Sequence, residues 1–428
     1  MANRMIWFPV ALALAAAGAR AEGVEKRERP PSPAERIRDA SNLQPMPGGG
    51  WVSVGFSTLS VLSPGARQWE KVHRIQGDSL YRVAVGGSGA LLAAWEQDPS
   101  LHYFPAQSKE HLTLPQPQPP SPEVFHFHVE FIGFLPNGRD AFVFMEGEAP
   151  HMNGPYREHH PFGATYRVAL DGTRPAELLY TVVGGRRIYV SERLAVFVMP
   201  KKLGQMCEHL TCNPVDQLVA YEYSDRGVTQ RTLLSSAERA MSNVQLIWGS
   251  DDQHLMFEVH LGGQERGMFA WRPGEAKGAF RPFPKENYTT AQFRLLKNGD
   301  LLEVVRTHDY GDLELRRHPW AGAVQVTALQ GTREKGSWDH NVHALGVREN
   351  GSLWLHWGDY LMLIPPKGPP RAYNLEPLLT RRTEWADAEL YTAKPETLWV
   401  GIEHGGSRDF VRVSFDDVEK KAKPWPPR

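Results

Sequence analysis

The chain has 428 residues, with 41% hydrophobic and 10% aromatic side chains, so it is too apolar to be intrinsically disordered and can bury a large core. Its 48 Lys+Arg against 49 Asp+Glu exclude the electrostatic footprint of a nucleic-acid or anionic-membrane binder. Two cysteines are too few for a disulfide scaffold or a four-thiolate zinc centre.

Residues 1–21 have the form of an export signal. Arg4 gives a positive start, Met5 to Ala17 are apolar apart from Pro9, and Ala19-Arg20-Ala21 offers a small-residue cleavage site. The apolar run is shorter than the roughly 18 residues that a spanning helix needs. The expectation is a secreted or periplasmic product without an integral membrane segment. Removing two arginines leaves 46 Lys+Arg against 49 Asp+Glu, a net charge of −3. Residues 22–50 read as a charged, Pro-rich linker, and 419–428 as a disordered basic tail. Between them, 51–418 reads as one domain.

Along that domain one plan recurs about every 50 residues: an apolar strand, a tight Gly/Asn/Asp/Ser turn, and a second apolar strand. The copies run over 81–97, 131–147, 186–201, 244–260, 293–308, 343–358 and 388–404. A second hairpin follows most of them, as in 166–180, 218–234, 268–283 and 361–375. Asn-Gly and Asp-Gly turns favour such hairpins. The second strands (ALLAAW, AFVFM, SLWLHW, TLWVGI) are near-continuous apolar runs, the pattern of sheets covered on both faces. Four-stranded units of this kind, repeated radially, predict an all-β fold: a single β-propeller. Seven blades are favoured, and eight follow if Asn42 to Met46 is a degenerate first strand. In either case the N-terminal segment completes the last blade. Ser235-Ser236-Ala237-Glu238 has capping-box spacing for one short helix.

Leu398-Trp399-Val400-Gly401 with Gly405-Gly406, and Leu353-Trp354-Leu355, resemble the repeats of periplasmic and secreted propellers of the WD40-like and two-component-regulator types. The resemblance spans most of 51–418 as architecture and implies fold and compartment, not chemistry. In a propeller, the connections after the second and fourth strands of each blade open on one face. The long insertions 147–163 and 201–216 therefore share a face, together with 115–122 and 331–341. Long connections in a compact domain are more often functional than incidental.

Candidate residues gather there. Tyr156, His159 and His160 in the first long insertion, with Trp338 and Asp339, form the expected ligand-binding face. Cys207 and Cys212 read as a local disulfide pinning the second insertion in an oxidising compartment. His126-x-His128-x-Glu130 alternates on a first strand, a set that can bind a divalent ion if all three point one way. The plainer reading is a polar strand start. His340, His343 and His404 are the candidates for acid–base chemistry, and the Trp338–His343 stretch is loosely similar to the His-Asn stretches of propeller polysaccharide lyases. No nucleophile elbow, phosphate-binding loop or His-Glu-x-x-His motif is present. Two functions are consistent with this: a monomeric module that binds a protein or glycan, and an extracellular polysaccharide lyase or hydrolase with histidines at the channel. No cofactor is assigned; a divalent metal is the group the histidines leave open.

Overall fold

Short apolar runs broken by residues that accept positive φ give antiparallel hairpins throughout. At Asn137–Asp140 the Asn137 side-chain oxygen accepts the amides of Arg139 (2.9 Å) and Asp140 (3.0 Å), while Gly138 turns the chain at φ 65°. Asn298 and Gly299 (φ 84°) repeat the device before Asp300. The strands that follow these turns are buried along their length; Leu91–Trp95 shows no exposed residue.

The computed structural model describes residues 36–37, 42–55, 57–63, 66, 69–106, 108, 111–153, 156–200, 215–238, 240–261, 266–282, 291–296, 298–306, 313–319, 323–329, 342–348, 350–379, 385–391, 397–404 and 407–425. They are nearly all β, arranged in antiparallel sheets whose strands pair in chain order. Most sheets are four-stranded. The eight-stranded one is two groups of four joined by the single pair Val215↔Met241. The described residues thus form eight groups of four, over 42–74, 80–115, 125–183, 186–235, 241–282, 291–329, 342–374 and 385–413 with 36–37.

This is one group more than the seven copies of the sequence pattern. Asn42–Pro45 is a strand, paired with Trp51–Val54, and supplies the first strand of the first sheet. At the other end, Arg36 and Ile37 pair with Val411 and Phe410 and give the eighth sheet its fourth strand. Stretches that composition marks as linker therefore serve as sheet edges, where backbone hydrogen bonds matter more than apolar content.

Every buried cluster but one draws on two groups that are neighbours in the chain. Ala94 and Leu101 of the second sheet pack with Ile132 and Val143 of the third, and Leu194 and Val196 of the fourth with Phe257 and Trp271 of the fifth. One cluster joins the ends of the series: Trp399 and Phe410 of the eighth sheet pack on Leu43, Trp51 and Leu62 of the first. The Trp51 and Trp399 rings meet edge-on, 5.3 Å between centroids.

Three local expectations change. Ser235 ends a strand and Ser236–Glu238 form turns instead of a helix, because the Ser236 amide and hydroxyl both bond Asp216, each at 2.7 Å. The basic tail is docked as far as Trp425. Phe415–Lys421 is a helix that buries Phe415 and Val418, Lys423–Pro424 pairs with Arg371–Ala372, and Trp425 packs on Trp357 and Tyr360. Finally, the 147–163 insertion is a hairpin extension. The strands Asp140–Asn153 and Tyr156–Ala169 stay paired out to Asn153↔Tyr156, while their outer neighbours stop at Glu148 and Phe162. Residues 149–153 and 156–160 thus continue as a two-stranded ribbon. Among the described residues no helix is long and apolar enough to cross a membrane.

Candidate functional site

The root of the ribbon lies at the start of the third sheet's first strand, Phe125–Phe134. A register shift between Phe125 and His128 breaks the alternation there, and His126 takes φ 53°. Among the described residues it is the one non-glycine with positive φ, a conformation that is costly for a side-chain-bearing residue and clusters at functional positions. His126, His128 and His159 are exposed, and the Phe125 ring meets His159 edge-on at 4.7 Å. Phe125, His126, His128 and His159 therefore form an aromatic, imidazole-rich surface beneath the ribbon. His160, one residue on, is 4% exposed and belongs to the interior.

The bulge also decides the fate of the His126-x-His128-x-Glu130 motif. The backbone carbonyl of His126 lies 2.8 Å from Nδ1 of His128, and Nε2 of His128 stands 3.7 Å from the Glu130 carboxylate. Glu130 is instead engaged by arginines from both neighbouring sheets. Arg82 reaches it at 3.0 Å and Arg187 at 2.7 Å, and the Tyr81 hydroxyl donates to it at 3.1 Å. Arg187 also bonds Glu146 at 2.9 Å. Two guanidinium groups face two carboxyl groups in a network that ties the second, third and fourth sheets together.

These contacts shift the acids in opposite directions. Burial raises the cost of ionising Glu130, but His128, Arg187 and Arg82 outweigh it and hold the carboxyl well below its ordinary value. Glu146 is pushed up by burial, only partly offset by Arg187, and by the Glu130 charge. His128 is raised by its bond to Glu130, against burial. A pocket of about 170 Å³ opens beside the network, lined by Gln44, Tyr81, Arg82 and Phe131.

A second cluster lies where the outer strand of the first sheet meets the third and fourth strands of the second. His73 comes from Glu70–Arg74, His102 from Ser100–Phe104, and His111 from the residue before Leu112–Pro115. One ring nitrogen from each lies within 4.8 Å of the others. The ring centroids are 4.9 Å apart for His73 with either partner, and 5.6 Å for His102 and His111. Burial, and then the nearby His102 and His111, push His73 below its ordinary value. His73 was legible as one histidine among many, but nothing in the chain's order joins it to His102 and His111, which sequence reasoning missed.

Other candidates lie apart from these clusters. Tyr156 sits on the ribbon strand. His343 is on the first strand of the seventh sheet, and His404 ends the second strand of the eighth. Trp338, Asp339, His340, Cys207 and Cys212 fall outside the described residues, as does the expected disulfide.

No protein-family model matches the sequence, and no curated protein matches it. Solved structures do. One is YCF48 bound to D1 peptide, 13% identical, with 90% of this chain and 98% of that one covered at a TM-score of 0.42. A catalytically inactive virginiamycin B lyase from Staphylococcus aureus with quinupristin is 8% identical, with 89% and 96% covered at 0.38. Prolyl oligopeptidase B from Galerina marginata is 10% identical, and the chain spans 55% of its length at 0.43. At these values no residue role carries over.

Proposed function

We propose that this is an exported, eight-bladed β-propeller that binds a protein or glycan through the 149–160 ribbon and its root. The eight four-stranded groups and the packing of Trp399 and Phe410 on Leu43, Trp51 and Leu62 support a closed ring. The signal-like residues 1–21 support export.

The observation that carries the binding reading is the ribbon with its root. A two-stranded extension without sheet neighbours gains little stability for the fold. At its base the chain holds His126 at positive φ and leaves Phe125, His126, His128 and His159 gathered at the surface. Aromatic faces and imidazoles suit the apolar faces and hydroxyls of a sugar, or the peptide groups of a loop. The Arg82–Glu130–Arg187–Glu146 network below forms a rigid floor.

Replacing 149–160 with a two-residue Asn-Gly turn tests this. The variant should keep its β circular dichroism and melting temperature, yet lose the ligand that the full-length protein retains on a glycan array or captures from an exported-protein fraction. Retained capture by a folded variant would refute the reading. Sequencing the N-terminus of the product recovered outside the cytoplasm tests export separately; an intact Met1 would count against it.

A further inference from the structure

We infer that His73, His102 and His111 form a binding site for a divalent transition-metal ion, with zinc as the reference case, that bridges the first and second sheets. Three imidazoles from three strands bring ligand nitrogens within 4.8 Å of one another. Nitrogens around a tetrahedral zinc with bonds of about 2.0–2.1 Å lie about 3.3 Å apart, so small side-chain rotations complete the set. His111 is exposed and His73 half-buried, which leaves those rotations free.

His102 is the anchor. It is 5% exposed, and its Nε2 lies 3.0 Å from the Asp98 carboxylate. The carboxylate can only accept, so Nε2 carries a proton, and in the neutral ring Nδ1 carries the lone pair. That Nδ1 is buried and has no hydrogen-bond partner. A buried, unsatisfied nitrogen in a ring whose centroid lies 4.9 Å from that of His73 and 5.6 Å from that of His111 has the donor chemistry of a metal ligand. A carboxylate on the far nitrogen of a ligating histidine fixes its tautomer and ring orientation.

Asp98 is itself held in place. It accepts the Ser100 amide at 2.9 Å, and the buried Asp78 carboxylate accepts the amides of Gln97 (3.1 Å) and Asp98 (3.0 Å). Trp95 and Phe104 form apolar walls, their ring centroids 5.1 Å from His102 and 5.2 Å from His111 respectively. The exposed His111 side leaves the fourth position open to water or an outside ligand. Oxygen-preferring calcium and magnesium fit such a donor set poorly.

The test uses the full-length protein, stripped with a chelator and titrated with zinc against a chromophoric competitor, with cobalt as a spectroscopic substitute. One equivalent should bind, give the visible bands of four-coordinate cobalt and raise the melting temperature. His111→Gln, at an exposed position that the fold tolerates, should weaken zinc by about tenfold or more, as should His73→Gln. Asp98→Asn, which changes only the orienting partner, should weaken it by about 10- to 100-fold. His260→Gln, outside the cluster, should match the unaltered chain. Absence of stoichiometric zinc, or unchanged affinity in folded His111→Gln, would overturn the assignment and leave a plain aromatic stack.

Discussion

Glu130 shows how far one side chain can set the behaviour of its surroundings. It is 14% exposed at the side chain and bonded by arginines from two neighbouring sheets, so deleting it removes the carboxylate partner of Arg82 and leaves Arg187 with Glu146 alone in a half-buried site. Glu130→Ala should destabilise the protein by about 3 kcal/mol in urea titrations, the low end for breaking a buried ion pair. The pH dependence has a definite sign. Its folded pKa lies below the ordinary 4.5, so its contribution is full above that value and lost as pH falls below it. The stability gap between the unaltered chain and Glu130→Gln should therefore be widest near neutrality and shrink steadily below about pH 4.5. A gap that widened on acidification would assign the stabilisation elsewhere. Two glycines offer a contrast. A Cβ at Gly138 (φ 65°) would meet nothing within 4 Å, and Gly138→Ala should cost about 1 kcal/mol of backbone strain. At Gly249 (φ 90°) the same atom would stand 2.3 Å from the Leu295 carbonyl oxygen, in the strip where the fifth and sixth sheets touch. Gly249→Ala should cost several times more.

Elements differ in how openly the chain declares them. The hairpins are legible because Asn137-Gly138 and Asn298-Gly299 carry turn chemistry locally, and because runs such as Leu91–Trp95 need cover on both sides. The ribbon was legible only as a long connection, since Pro150 and Pro161 blur its alternation. Arg36–Ile37 was hidden altogether: a two-residue strand is defined by its partner, here Val411 and Phe410. The histidine cluster fails for a similar reason, because packing between two sheets sets the convergence of His73 with His102, not spacing. The C-terminal helix carried a faint signal in Phe415 and Val418, overshadowed by the lysines and prolines around them. Its role is testable. Phe415 lies 5.1 Å from the buried Trp354 ring, and Phe415→Ala should cost about 3 kcal/mol in chemical denaturation. Loss of less than 1 kcal/mol would mark the helix as ornamental.

For the whole molecule the decisive contacts are those between the first and eighth sheets. Deleting residues 33–41 leaves Ser407–Val413, still paired with Thr397–His404, with an open outer edge, and exposed edges recruit other chains. The shortened protein should melt at lower temperature in calorimetry and scatter more light on storage; an unchanged profile would show that Trp51 and Trp399 suffice. The same pairing has a consequence for biosynthesis. Arg36 leaves the ribosome long before Val411, so the eighth sheet cannot be completed until the chain between them has been made. Until then the nascent chain carries a first sheet without its eventual neighbour, and joining the two brings together partners far apart in sequence, a slow kind of search. A circular permutant opened between the first and second sheets would make those partners neighbours in sequence and should acquire its native structure faster.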